Sequence, residues 1–407
     1  MRHDHTSWLI HFVRDRNPEQ DFPEEIEEEF DYFSGGELEP DADAFSVLKT
    51  IIRLGGLYPG YSFRSGRTTI YGGKPAICVT EMPLYSFATY AKERGKTDCV
   101  SAYGIAFLKS EFFSAGGRPV IYGLSNSNVK YIKNEPYCRI FEETILPLEE
   151  QYRYVAYSLS SKRWIDWSHE REWRWKVNNK DGDYVWGKRG DGCYDAIPGL
   201  PLFVGKENEG YFSRLCVIVW TNEEAKLIQD LITGFYFAES NDYGTPFSKK
   251  LIENSFIVVL ENVVSQVEVN GSLSSQTIEG LQDIDLITTI ILADTPKNVQ
   301  EIIDQAIKKA RVAGKAAAEE YKASHDISGG YCGFANAVTY DITNPLVQYM
   351  LNEGIASGPY DGCVHINIKS DWEFSQSLDY KEYIYDAVAN ALEQELGFSV
   401  YMQSRSD

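Results

Sequence analysis

The chain has 407 residues, of which 43% are hydrophobic, 14% aromatic and 24% charged. Since domains usually contain roughly 100 to 200 residues, this length predicts two globular domains. The formal net charge of -21 argues against a protein that binds nucleic acid over a broad surface, because such binding depends on many lysines and arginines. Only a local basic pocket would suit such a ligand.

Hydropathy and motif spacing exclude several other classes. The longest apolar runs, such as Leu215–Trp220, are far shorter than the roughly 20 residues that span a bilayer. The N-terminus is polar where a signal peptide needs an apolar core, which predicts a cytoplasmic protein without a membrane partner. Seven scattered cysteines without CxxC spacing predict reduced core thiols, and six histidines without HxxxH or HExxH spacing predict no metal site.

The first 270 residues alternate short strands with helices of modest length. Trp8–Val13 has the composition of a strand, and the acidic run 21–31 after it is typical of a solvated surface, with nucleic-acid mimicry as the alternative. A helix is predicted between the N-cap Asp43 and the stop at Gly55. Further strands are predicted at Tyr103–Phe107, Pro119–Tyr122, Glu172–Val177, Val217–Trp220 and Phe256–Leu260, and further helices at Tyr85–Arg94, Ile140–Ser161 and Glu223–Leu231.

A small, polar, turn-rich stretch separates this domain, 1–270, from a second one. The stretch predicts a linker over 271–295 and a smaller α/β domain over 296–407. In that domain Pro296 begins a long helix whose apolar residues recur every three or four positions. Two alternating strands and the amphipathic helix Tyr380–Leu396 predict a small sheet covered by helices, so the fold class is α+β.

Several polar residues of the first domain could carry chemistry, and each also has an ordinary structural interpretation. A strand histidine is commonly a satisfied core residue, turn arginines commonly lie at the surface, and a threonine after a strand commonly ends it. These residues are His11, Arg64, Arg67, Thr80, Glu81, Tyr103, Lys109, Glu170 and Glu172.

Glu170 and Glu172 are two residues apart. On a strand, alternation would point both carboxylates to one face, and in a cleft they would form an acidic site with coupled pKa values. The alternative is that they pair with Arg171, Arg174 or Lys176 across a sheet.

The order of six short motifs resembles a known family. The motifs are Trp8–Phe12, Phe45–Leu57 with its helix and double-glycine stop, Ala76–Pro83, Tyr103–Lys109, Pro119–Tyr122 and Glu170–Arg174. Together they resemble the AbiGi-type abortive phage infection family, which is similar in turn to the ADP-ribosyltransferase-like superfamily with its DarT-type enzymes. The resemblance covers roughly residues 8 to 176 and implies an ADP-ribosyltransferase-like split-sheet domain, beside the C-terminal α/β sandwich domain, with NAD bound between two small sheets.

The resemblance also implies residue roles. His11 would contact the nicotinamide-side ribose, Thr80 and Tyr103 would belong to the NAD pocket, and Arg64 or Arg67 would face the pyrophosphate, where a forked guanidinium suits phosphate oxygens. Glu172, or less readily Glu170, would be the catalytic carboxylate that stabilises the positive charge developing on the ribose.

Two hypotheses for the function follow. The first is an NAD-dependent ADP-ribosyltransferase or NAD glycohydrolase in an anti-phage defence or toxin setting, with NAD as substrate and the C-terminal domain recognising a target. The second is a non-enzymatic binding or sensing protein that keeps the fold as a scaffold and meets a basic phage or host protein with its acidic surface. A nucleic-acid enzyme is a third, disfavoured by the charge. The enzyme requires His11 and Glu172 in one pocket, whereas a binding protein allows them to be separated or buried in ion pairs.

Overall fold

A computed structural model describes residues 6–16, 38–39, 41–61, 63–64, 67–94, 102–125, 130–134, 138–161, 163–177, 183–188, 194–205, 210–270, 287–290, 295–360 and 362–406. By the proximity of their Cα atoms the residues form two compact units. The first is Met1–Ile228 with Glu239–Ile290, and the second is Gln229–Ala238 with Ile291–Asp407. The chain mixes helices with strands, which confirms the α+β class. No helix in the described ranges has the length and apolarity required to cross a membrane.

The first unit is built mainly from short strands. Its strands are β1 (Trp8–Val13), β2 (Gly56–Leu57), β3 (Phe63–Arg64), β4 (Arg67–Thr68), β5 (Ile77–Thr80), β6 (Tyr103–Leu108), β7 (Arg118–Pro119), β8 (Ile121–Tyr122), β9 (Lys133–Asn134), β10 (Arg139–Ile140), β11 (Tyr154–Val155), β12 (Ser158–Ser160), β13 (Arg163–Ile165), β14 (Glu172–Trp175), β15 (Tyr184–Lys188), β16 (Tyr194–Pro198), β17 (Leu200–Pro201), β18 (Leu215–Val219), β19 (Phe256–Val259) and β20 (Ile287–Thr289). Its helices are α1 (Ala44–Leu54), α2 (Leu84–Arg94), α3 (Lys109–Ser114), α4 (Asn222–Ala238, whose residues from Gln229 onward belong to the second unit), α5 (Lys249–Glu253) and α6 (Leu260–Asn270).

Eight strands of this unit form one sheet in the order β20-β19-β18-β6-β1-β5-β14-β7. Strands β18 and β19 are parallel, and the other neighbours are antiparallel. β1 pairs with β6 over six residues but with β5 only at Ile10↔Thr80. The two small sheets that were expected are therefore two parts of one hydrogen-bonded sheet. One part has five strands, from β20 to β1, and the other has three, from β5 to β7, and a single residue pair joins them.

Helix α1 begins and ends at the capping residues predicted for it. The Asp43 side chain accepts a hydrogen bond from the Ser46 amide at 2.7 Å, and α1 ends where Gly55 adopts a left-handed conformation with φ 75°. Both caps confirm the prediction. The oxygen of a short side chain such as Asp accepts a hydrogen bond from an unpaired amide of the first turn, and glycine adopts the left-handed conformation that ends a helix at little steric cost.

One helix predicted for the first unit does not form. Residues 140–161 do not form a helix but contain parts of β10, a 3-10 turn at Leu148–Arg153, β11 and β12. The buried Gln151 amide explains this, because it bonds the main chain of Phe141 in both directions at 2.9 Å and so replaces helical bonds with tertiary ones. Within the range predicted as a linker, 271–295, residues Ile287–Thr289 form β20, which pairs with β19, and the first compact unit includes residues up to Ile290.

The second unit is a small antiparallel sheet with helices against it. It contains α7 (Val299–Ser324), β21 (Gly333–Thr339), α8 (Pro345–Asn352), β22 (Ala356–Tyr360), β23 (Cys363–Ile366), α9 (Leu378–Leu396) and β24 (Tyr401–Ser406). The strand order is β22-β23-β21-β24, and every neighbouring pair is antiparallel. After α7 the connectivity is βαββαβ, the ferredoxin-like arrangement. Its core includes Ile303, Ala310, Ala337, Ile384 and Val388, on α7, β21 and α9.

Candidate functional site

Glu172 occupies the first position of β14, directly beside β5. It pairs with Thr80, which also pairs with Ile10 on β1. The Thr80 hydroxyl donates to the Glu170 carbonyl and accepts a hydrogen bond from the Met82 amide at 3.1 Å. The bond to Glu170 anchors the turn before β14 and so determines where the strand begins and where Glu172 lies.

Glu170 does not lie on this strand, so the alternation predicted for the two carboxylates is wrong. It ends a 3-10 turn, and Arg171 after it takes a left-handed conformation with φ 46°. That backbone reversal breaks the strand periodicity between the two glutamates, because alternation requires both residues to be extended.

The Glu172 carboxylate is held by Arg174 on the same face of β14. The Arg174 Nε donates to Oε1 of Glu172 at 2.7 Å and Nη2 to Oε2 at 3.3 Å, while the side chains are only 5% and 13% exposed. The remaining guanidinium nitrogen, Nη1, donates to the carbonyls of Tyr152 and Tyr154 at 2.6 and 3.3 Å. Burial opposes the charge of Arg174, but attraction to Glu172 and Cys78 together with hydrogen bonding to Glu172 raises the pKa of Arg174 above its ordinary value. The pair therefore ties the 148–155 segment to β14.

Two further side chains complete this cluster. Cys78 pairs with Arg174 in the sheet, and burial followed by the charge of Glu172 raises the pKa of the Cys78 thiol. The Tyr122 hydroxyl accepts a hydrogen bond from the Glu172 amide at 3.1 Å and donates to the Trp167 carbonyl at 3.3 Å. Both carboxylate oxygens of Glu172 therefore accept hydrogen bonds from the Arg174 guanidinium.

His11 lies on the opposite face of the sheet from Glu172. Thr80 pairs with both Ile10 and Glu172, so these three side chains share one face, and alternation along β1 points His11 to the other. Its Nδ1 lies 3.0 Å from the Cys78 carbonyl, so it carries the proton and donates. Burial lowers the pKa of His11. The residue is a satisfied strand histidine, which is the structural alternative given by the sequence.

Tyr103, which was also predicted to contact NAD, lies away from Glu172. The Tyr103 hydroxyl donates to the Glu224 carboxylate at 2.6 Å, and Glu224 forms the capping box of α4 with Thr221. Three strand spacings and three residues along the sheet separate the Cα atoms of Tyr103 and Glu172, or roughly 18 Å. Arg64 and Arg67 are paired positions on β3 and β4, and their side chains lie outside the described part of the structure. Among the predicted contacts whose side chains the structure describes, Thr80 alone adjoins Glu172.

A second ion-paired carboxylate, the partly buried Glu81, follows β5. Glu81 accepts from Lys109 Nζ at 2.8 Å and from Trp173 Nε1 at 2.9 Å. Trp173 alternates with Glu172, so Glu81 and Glu172 are bound on opposite faces of the sheet. The sequence marked Glu81 and Lys109 as candidates but did not indicate that they pair with each other. Among the described residues no three His, Cys, Asp or Glu side chains are grouped to hold a metal ion.

Comparisons with known proteins supply no further constraint on this site. No protein-family model, no curated protein and no solved structure matches the chain. Its interpretation therefore depends on the geometry of the residues around Glu172 and His11.

Proposed function

We propose that the first unit is a non-enzymatic binding or sensing module in a bacterial anti-phage defence or toxin setting, with an ADP-ribosyltransferase-like sheet as scaffold. One observation carries the proposal. The Glu172 carboxylate is bound to Arg174 on one face of the sheet, and His11 is bound to the main chain on the other. An enzyme of this class needs both residues at one cleft.

The ion pair also opposes the chemistry. Breaking the bond between ribose and nicotinamide develops positive charge on the sugar, and a carboxylate lowers that barrier through its uncompensated negative charge. At Glu172 the guanidinium of Arg174 already balances the charge, at 2.7 Å and largely out of water. Separating the pair would leave Arg174 buried and unpaired, which costs about 3 to 5 kcal/mol.

The partner that suits this module is a basic phage or host protein. The chain contains 60 Asp and Glu residues against 39 Lys and Arg residues. A surplus of this size attracts cationic surfaces and speeds encounter with them. Nucleic acid is repelled by the same field, except at a local site.

The second candidate is the NAD-dependent ADP-ribosyltransferase or NAD glycohydrolase, with NAD as substrate. Two observations favour it. Thr80, Glu172 and Tyr122 meet at one point beside β5, and the sheet is joined at β1 and β5 by the single pair Ile10↔Thr80. A cleft between two small sheets would open at that junction. In this alternative Arg174 would release Glu172 when NAD binds.

NAD binding and turnover distinguish the two candidates. Calorimetry with NAD and a nicotinamide-release assay would be run on the full chain, with and without phage lysate and nucleic acid. The binding module predicts neither NAD affinity nor nicotinamide release. Release that is lost in Glu172→Gln but retained in Glu150→Gln, a surface glutamate paired with Arg153, would overturn it, provided that Glu172→Gln remains folded.

A further inference from the structure

The sheet of the second unit ends in a regular, exposed strand. β24 pairs with β21 without interruption from Gly333↔Ser406 to Val338↔Tyr401. Five of its six residues are exposed, and Tyr401 is 52% exposed. In the described part of the chain no strand covers its other side. An open edge of this kind presents main-chain donors and acceptors to any strand that can align with it.

The opposite edge of the same sheet is protected. β22 contains Pro359, and its register with β23 shifts between Ser357 and Tyr360. Proline and bulges are devices that block strand addition, because they remove a donor and twist the edge away. β24 contains no proline, lysine or acidic residue, and its pairing with β21 shows no shift. Only one edge of this sheet is therefore open to pairing.

We propose that β24 pairs antiparallel with β24 of a second copy of the chain, which joins two four-stranded sheets into one of eight strands. The strand is self-complementary in one register. With Gln403 opposite Gln403 of the second copy, Tyr401 faces Arg405 of the second copy, and Met402 faces Ser404 of the second copy.

In this register, residues that face each other across the two strands lie on the same face of the sheet. No two like charges are placed opposite each other. Tyr401, Gln403 and Arg405 alternate on one face of β24, and Met402 and Ser404 lie on the other. The guanidinium of Arg405 meets a tyrosine ring, and the two glutamine amides each offer a donor and an acceptor. Because a two-fold axis relates the strands, the Tyr401–Arg405 and Met402–Ser404 contacts each occur twice, and the Gln403 pair lies on the axis. A strand from another protein would use the same main-chain groups but has no such match to this sequence.

The mass of the full chain in solution tests the proposal. Sedimentation velocity over a concentration series should give a dimer of about 92 kDa, twice the 46.2 kDa of one chain. Gln403→Glu places two carboxylates opposite each other at the axis and should weaken the dimer at least tenfold. The matched change Gln394→Glu, at an exposed position of α9, should leave the dimer intact. A wild-type chain that stays monomeric at 100 µM, or a dimer indifferent to Gln403→Glu, would overturn the proposal.

Cross-linking tests the register independently of affinity. Facing residues of an antiparallel pair have Cα atoms about 4.5 to 5.5 Å apart, which a disulfide can span. In a background without the exposed Cys332, Gln403→Cys should therefore yield a disulfide-linked dimer on mild oxidation, because that residue faces itself. Arg405→Cys, which faces Tyr401 of the second copy, should not. Equal cross-linking of the two variants would refute the register and the self-pairing argued from it.

Discussion

Replacing Glu172 by glutamine tests whether its carboxylate is structural. The change leaves the Arg174 guanidinium with its bonds to the Tyr152 and Tyr154 carbonyls but without its counter-charge, at a side chain that is 5% exposed. Removing one partner of a buried pair costs about 3 to 5 kcal/mol. Since glutamine can still accept one of the two hydrogen bonds, we expect a loss of about 3 kcal/mol. For a unit of 280 residues that lowers the melting temperature by roughly 5 °C.

Scanning calorimetry and urea unfolding of the full chain would measure this loss, with Glu150→Gln as the matched control. Glu150 also pairs with an arginine, Arg153, but its side chain is 43% exposed, so its removal should cost less than about 1 kcal/mol. A variant with both Glu172→Gln and Arg174→Met should be more stable than Glu172→Gln alone, because no buried charge is left unpaired. If Glu172→Gln lowers the free energy of unfolding no more than Glu150→Gln does, the Arg174 pair does not hold Glu172 in a structural role, and the scaffold proposal is contradicted.

Three further predictions concern other parts of the chain. Because burial lowers the pKa of His11, the unfolded chain binds a proton near pH 6.5 that the folded chain does not bind, so this residue reduces the free energy of unfolding as the pH falls below about 6.5. His11→Gln should therefore make the free energy of unfolding fall less steeply between pH 7 and pH 5. An unchanged slope would contradict the burial of this ring. Tyr103→Phe removes the bond to Glu224 and should cost about 1 to 2 kcal/mol in urea unfolding, whereas the change Tyr184→Phe at an exposed ring should be neutral. Gly314→Ala brings a methyl group to 2.6 Å from the Trp372 ring and should destabilise the second unit by about 1 to 3 kcal/mol, although alanine has the better helix propensity. A rise in the melting temperature of the second unit would show that α7 can move away from Trp372 and α9.

Much of the secondary structure could be predicted from the sequence. Helices α1, α2, α7 and α9 and strands β1, β6, β18 and β19 lie close to their predicted positions, because apolar periodicity and capping residues act within a few positions of the chain. The mixed α and β class followed from the same signals. At the candidate site, sequence reasoning identified Glu172, and its alternative interpretation included the pairing with Arg174 that the structure contains.

Only tertiary structure decided how the candidate residues relate to one another. The left-handed Arg171 separates Glu170 from the strand, and the Ile10↔Thr80 register assigns His11 and Glu172 to opposite faces. Likewise, the Gln151 amide turns a predicted helix into loops and short strands. Local patterns specify which residues of an element are apolar or capped. The register between strands distant in sequence depends on packing across the whole sheet, and a shift of one residue would exchange the two faces.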